Sequence, residues 1–376
     1  MLDLLAAAER HREDTIELIE TLAAIESPST DKAALDRCGA EISRRLALLG
    51  GRVTRLPHAT AGDHVRAEFG DGAAQVLLLG HFDTVWPLGQ LPRMPITRTA
   101  TTLAGPGVFD MKAGIAQAML AVRVLADLGR LSATRVVMLW TSDEEVGSSS
   151  SRAALEAEAS RSRAVFVLEP ALAGGAVKTA RKGVGDFRVT ARGISAHAGV
   201  EPGRGASAVH ELARQVLQVL DLADVASGLT VNVGRISGGT RANVVAESAT
   251  MDVDVRIATL ADAERVTAAM AALVPIDGRV ALSVEGGIDR PPMERTRGTS
   301  ALFERARQIA GRLGRELAEG ATGGGSDGNF TSAIAPTLDG LGPEGAGAHA
   351  LDEHILLEPL AFRAALLAGL IENLED

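Results

Sequence analysis

The spacing of apolar residues changes character along the chain, and the changes predict its organisation. Leu4, Ile16, Leu18, Ile19, Leu22 and Ile25 recur at broadly helical intervals until Ser27-Pro28-Ser29 interrupts them. A second helix is expected from about Lys32 to Leu49, ended by Gly50-Gly51, so two helices open the chain. Short apolar runs at 76–79, 135–140 and 164–168 then alternate with helical stretches near 112–128 and 150–159. Strand–helix alternation of this kind predicts a largely parallel sheet covered on both faces.

Near residue 179 the period becomes two. Phe187-Arg188-Val189-Thr190-Ala191, 230–233 and 249–257 alternate, with helices expected at 206–220 and 261–273, which predicts an antiparallel sheet with one covered face. After Arg290-Pro291-Pro292 helical spacing returns, at 300–313 and 357–374. The chain therefore reads as an α/β fold. Residues 1–179 and 293–376 form a mostly parallel-sheet domain, and an α+β domain is inserted at 180–292.

Composition narrows the possibilities. With 376 residues, 46% hydrophobic and 23% charged, the chain is long enough for two domains and unlike a disordered one. Its longest apolar run, 268–274, is far short of the roughly 18 residues that span a bilayer. A net charge of −10 argues against a nucleic-acid surface, which needs a basic stripe. No basic start followed by an apolar segment marks a leader, and the single cysteine, Cys38, fits a reducing compartment, so a cytoplasmic protein is expected. There is no tyrosine, which excludes tyrosine acid–base chemistry.

Candidate chemistry concentrates where predicted strands end. Gly80-His81-Phe82-Asp83 follows an apolar strand, and alternate residues of an extended chain share a side, which puts Asp83 beside the His81 ring. A carboxylate so placed fixes the tautomer of a metal-bound histidine; an ordinary polar strand end is the alternative. Asp110, in Gly105-Pro106-Gly107-Val108-Phe109-Asp110-Met111-Lys112, lies between a glycine-rich turn and a helix start, where a helix cap is the simpler role. Ser142-Asp143-Glu144-Glu145-Val146-Gly147 ends a strand with adjacent acids, which repel unless solvated or sharing a cation. Leu168-Glu169-Pro170 repeats the arrangement, and Gly345-Ala346-Gly347-Ala348-His349 supplies a second histidine far along the chain.

His81, Asp110, Glu145, Glu169 and His349 all fall at strand ends or in adjoining loops, the edge at which open α/β sheets bind ligands. Two histidines and three carboxylates could hold two metal ions with one carboxylate between them. Mixed nitrogen and oxygen donors suit zinc, with cobalt or manganese as alternatives.

The order His-x-Asp, Gly-x-Gly-x-x-Asp, Glu-Glu, Glu-Pro and Gly-x-His resembles the di-zinc aminoacylase and carboxypeptidase family. That family includes succinyl-diaminopimelate desuccinylase, acetylornithine deacetylase and bacterial glutamate carboxypeptidases. The resemblance spans nearly the whole chain. It implies that His81 and Glu169 bind one zinc, that Glu145 and His349 bind the other, and that Asp110 bridges them. It also implies that Asp83 orients His81, that Glu144 is the general base, and that the Asp110-Met111 peptide is cis. By the same resemblance, 1–179 and 293–376 form the catalytic metal-binding domain and 180–292 a lid and dimerisation domain. A homodimer follows, in which His197 of Ser195-Ala196-His197-Ala198-Gly199 reaches the partner's site and stabilises the oxyanion. Asn243 and Arg256 match positions near the substrate, with a turn cap and a solvated strand arginine as their alternatives.

Within the family, Gly105-Pro106-Gly107, Arg290-Pro291 and Thr322-Gly323-Gly324-Gly325-Ser326-Asp327 resemble glutamate carboxypeptidases most. Amides of the glycine run, Gly324 among them, could bind a substrate carboxylate, with Arg256 or Arg290 gripping it in bidentate fashion. A flexible loop and a hinge arginine are the alternatives. Phe109 departs from the pattern, because small residues are common beside the bridging acid, and a narrowed pocket is one consequence.

The expected function is metal-dependent hydrolysis of the amide bond of an N-acyl amino acid or of a peptide's C-terminal residue. Deacylation of a biosynthetic intermediate, of acetylornithine or succinyl-diaminopimelate type, is the runner-up. The expected partner is a small molecule, with no nucleic acid and no membrane. A catalytically silent metal carrier would not need Glu144. A serine hydrolase is suggested by Gly324-Gly325-Ser326-Asp327-Gly328, but that elbow requires an apolar strand before it, and 319–322 does not read as one.

Overall fold

A computed structural model of the protein describes residues 1–131 and 134–374; residues 132, 133, 375 and 376, inside the expected 1–179 and 293–376 segments, lie outside that description. Two units are present: Met1–Ala180 with Arg295–Thr322 and Ser326–Asp376, and Arg181–Glu294 with Gly323–Gly325.

Three helices, not two, open the first unit: Leu2–Arg10, Arg12–Ala24 and Lys32–Leu48. The added break falls at His11, a residue with no breaker signature. Its amide bonds to Ala8 O, and its carbonyl accepts both the amide and the hydroxyl of Thr15. The bend lets Leu4 and Ala7 on one side, and Ile16, Ile19 and Leu22 on the other, reach the same core.

The central sheet contains β1 (Arg52–Leu56), β2 (His64–Phe69), β3 (Ala74–His81), β4 (Thr134–Thr141) and β5 (Ala164–Val167), in the order β1-β2-β4-β3-β5, and Thr337–Leu338 lies beside β5. β3 runs parallel to β4 and β5, and Thr337–Leu338 is parallel to β5. β1 and β2 form an antiparallel edge that hydrophobic spacing did not reveal, because Arg52, Thr54 and Arg55 leave β1 few apolar positions.

The period-two geometry of strands sorts the core into two layers. Val76, Leu78, Val136, Met138, Trp140 and Phe166 face a cluster shared with helices Ala113–Asp127 and Leu360–Glu372. Leu77, Leu79, Val137, Leu139, Val165 and Val167 face a second cluster with Leu155 and Phe330. Both faces of the sheet are therefore covered, as its unbroken apolar runs require.

The second unit holds β6 (Gly183–Arg192), β7 (Thr230–Gly238), β8 (Ser248–Ile257) and β9 (Ala281–Arg290), all antiparallel, in the order β7-β8-β6-β9. Phe187, Val189, Met251, Val253 and Val255 pack with residues of helices Ala208–Leu220 and Leu260–Ala271. On the other face Asp252 accepts from both Arg188 and Arg235 at 2.7 Å. β9 was not foreseen, since Gly286-Gly287 interrupts its alternation. Among the described residues no helix is long and apolar enough to cross a membrane.

Candidate metal centre

Parallel pairing of β4, β3 and β5 brings their carboxyl ends to one edge of the first unit. His81 is the last residue of β3 and pairs with Thr141 of β4. The chain leaving β4 then forms the single turn Glu144–Val146. Leu79 pairs with Val167 of β5, and Glu169 follows two residues later. Asp110 arrives from the turn before helix Ala113–Asp127, where Gly107 adopts φ +70° and the Asp110-Met111 peptide is cis. His349 sits at φ +61°, in the left-handed region that few side chains adopt.

These residues form two sets joined by Asp110. His81 Nε2 lies 3.1 Å from Asp110 Oδ1 and 3.5 Å from Glu169 Oε1. His349 Nε2 lies 3.1 Å from Glu145 Oε1 and 3.4 Å from Asp110 Oδ2. One carboxylate thus offers a different oxygen to each set. Within each triad, His81–Asp110–Glu169 and Asp110–Glu145–His349, the candidate ligand atoms all lie within 4.8 Å of one another. The donor chemistry fits divalent cations: one imidazole nitrogen and carboxylate oxygens on each side, with acids outnumbering the histidines.

The electrostatics point the same way. Burial disfavours a charged His81, yet Asp110, Asp83 and Glu169 together raise its pKa well above the usual histidine value. Hydrogen bonding to Asp110 and Glu145 raises that of His349 to about 10. Burial alone would raise the Asp110 pKa, but His349 and His81 hold it far below the carboxylate range. Burial raises that of Glu145. Acids crowded into a low-dielectric pocket draw positive charge to themselves.

Asp83 is fully buried. His81 Nδ1 is hydrogen-bonded to the Asp83 backbone carbonyl at 3.1 Å, with the Asp83 carboxylate Oδ1 at 3.3 Å, while Nε2 on the other side of the ring faces Asp110 and Glu169. The Asp83 carboxylate also accepts from the Ser29 hydroxyl at 2.8 Å and from the backbone amides of Glu144 and Glu145 at 3.2 Å each. Ser29 carried only a helix-breaking signal in the sequence, and the link to the Glu144–Glu145 turn had none.

The remaining expected residues lie in the second unit. His197 is exposed, and its Nδ1 accepts from Gly199 N at 3.1 Å and Val200 N at 3.2 Å, which leaves the proton on Nε2. Asn243 is its neighbour, through Ala198 N to Asn243 O at 3.0 Å. The Arg256 guanidinium forks onto Asp254 at 3.0 and 2.7 Å. Arg290 is buried, with its Cδ close to Gly325, while Arg181 donates to the carbonyls of Gly324 and Gly325.

Two expectations need correction. Phe109 does not narrow an open pocket: its ring is buried in the core, close to Gly345. Residues 319–322 do form a strand, Glu319–Thr322, but Ser326 is fully buried and its hydroxyl donates to Asp339 at 2.8 Å, not to a histidine. A serine nucleophile has no access there.

The fold is shared with the aminopeptidase PepT of Bacillus cereus, with a TM-score of 0.82 at 22% identity, covering 97% of this chain and 99% of that one. A dinuclear metal-binding M20 peptidase of Bacillus subtilis superposes with a TM-score of 0.71 at 16% identity, covering 97% and 98%. In sequence, the chain is 32% identical to a succinyl-diaminopimelate desuccinylase of Leptothrix cholodnii, over 90% of this chain and 93% of the relative. It is 29% identical to carboxypeptidase G2 of a Pseudomonas species, over 99% and 92%. The family model for peptidase family M20/M25/M40 matches residues 77–373, most of the chain, and the protein belongs to that family of hydrolases.

Proposed function

We propose that the protein is a di-zinc amidohydrolase that cleaves the amide bond of an N-acyl amino acid or of a peptide's C-terminal residue, with a glutamate-like substrate. The observation that carries the reading is Asp110, whose two carboxylate oxygens face separate histidine–carboxylate sets. His81, Glu169 and Asp110 would hold one ion, and Asp110, Glu145 and His349 the other. Bound there, the ions supply Lewis acidity, which polarises an amide carbonyl and makes water nucleophilic near neutral pH; cobalt or manganese could serve in place of zinc.

The chain's own residues supply the proton handling. Glu144 adjoins the proposed ligand Glu145, and Asp83 accepts the backbone amides of both, which supports Glu144 as the base that acts on the reacting water. It takes a proton from that water and delivers it to the departing amine nitrogen. His197 presents an Nε2–H donor suited to a developing oxyanion, and a homodimer is the assembly in which it would serve the partner's site. Arg256, Arg290, Asn243 and Gly324 are the proposed substrate contacts. Arg256 would have to release Asp254 to grip a carboxylate in bidentate fashion. The single cysteine, Cys38, is buried and free, which suits a cytoplasmic setting.

The second reading, a biosynthetic deacylase, is favoured by the 32% identity to a desuccinylase. Release of amino acid from N-acyl-glutamates, succinyl-diaminopimelate and acetylornithine, with and without a chelator, separates the two. We expect chelator-sensitive cleavage of acyl-glutamates. Cleavage of succinyl-diaminopimelate alone would reverse the substrate assignment, and cleavage insensitive to metal removal would overturn the mechanism.

A further inference from the structure

Glu353 lies four residues after His349 and is 1% exposed. Its carboxylate accepts four hydrogen bonds. Oε1 takes the amides of Phe109 and Asp110 at 2.9 and 3.0 Å, and Oε2 takes the amide of Gly107 and the indole N–H of Trp86 at 2.9 Å each. Its own carbonyl accepts from Gly105 N at 3.2 Å, and its amide donates to Ala350 O at 3.1 Å.

These bonds run to three segments. Gly105–Asp110 is the turn that carries the bridging acid. Trp86 stands three residues beyond Asp83 on the chain leaving β3. Ala350 follows His349 directly. We infer that Glu353 is the positioning residue of the metal centre: one buried carboxylate that fixes the Asp110 turn against the His349 loop and the His81–Asp83 segment.

The chemistry explains why a carboxylate stands there. Four N–H groups converge on one point, and an ionised carboxyl is the side chain that accepts all four while donating none. An amide of the same shape has one oxygen. Its NH2 group would face two of the four donors, leaving them unpaired inside the protein. Each pair includes at least one amide of the Gly105–Asp110 turn, so losing either one frees part of that turn. A displaced turn misplaces Asp110, the one group that both ion sets share.

The inference rests on the proposed dinuclear reading, and a test with Co2+ as the probe separates their failures. Co2+ is titrated into the metal-free full chain, the Glu353→Gln variant and the Trp86→Phe variant, with affinity, stoichiometry and the visible absorption of the bound ion recorded. Glu353→Gln should weaken Co2+ binding about 10- to 100-fold and change the absorption band, since outer-shell partners of metal ligands have effects of that size. Its kcat should fall at constant KM. Trp86→Phe removes one donor of four and should weaken binding about fivefold, the worth of one hydrogen bond. Wild-type affinity and spectrum in a folded Glu353→Gln protein would overturn the inference while leaving the dinuclear centre standing. If Glu353→Gln does not fold, Trp86→Phe decides: weakened binding supports positioning and unchanged binding overturns it. A wild-type chain that binds no Co2+ would instead bring down the dinuclear reading, and this one with it.

Discussion

Asp83 does more than its place beside a histidine suggests. It meets the His81 ring through its carbonyl and its carboxylate, and the carboxylate also receives the amides of Glu144 and Glu145, so a proposed ligand, a proposed base and a second proposed ligand all contact one buried residue. Glu145 lies 3.1 Å from His349, and its neighbour Glu144 is the proposed base. Glu144→Gln keeps the shape and removes the base. Its kcat should fall about a hundred- to ten-thousand-fold, the usual range for general-base loss, with both metal ions retained. Steady-state kinetics alongside elemental analysis checks this, and full turnover in the variant would remove Glu144 from the mechanism.

At the scale of elements, the second unit shows how a buried acid can hold a fold. Glu211, on helix Ala208–Leu220, is fully buried and accepts from Gln215 Nε2 and from the amides of Ile276 and Asp277 at 2.8, 2.8 and 3.0 Å. Burial pushes its carboxyl pKa up, but those donors outweigh burial and hold it below the ordinary glutamate value. A depressed folded-state pKa contributes stability that is complete above the unfolded value of about 4.3 and is lost as pH falls through the folded one. Glu211→Ala should therefore destabilise the chain by about 1–3 kcal/mol at pH 7, from unpaired buried amides. The difference from wild type should shrink in acid. Urea unfolding at pH 7 and pH 3 measures it, and an equal difference at both would contradict the assignment. None of this was legible in the sequence, where Glu211 is one polar residue in an amphipathic helix. The strand ends were legible, because a parallel strand buried on both faces leaves an unbroken apolar run that stops abruptly at His81, Thr141 or Leu168.

Across the whole molecule, the sequence exposed what is written in local spacing and concealed what depends on distant pairing. The change from continuous to alternating strands separates an α/β region from an α+β one. The antiparallel β1–β2 edge, the bend at His11 and strand β9 carry weak or interrupted patterns and emerged only in three dimensions. The five candidate ligands were legible as types and positions. The convergence of His81 and His349, 268 residues apart, on Asp110 was expected only through the family resemblance, and local spacing does not show it, because strand order brings these residues together; the acceptance of the Asp110 amide by Glu353 had no sequence signal. Calorimetric titration of Zn2+ into metal-free protein tests that convergence most directly. Wild type should bind two ions per chain and His349→Ala one at comparable affinity; a single ion or none in the wild type, or two undiminished in the variant, would contradict a centre built around Asp110.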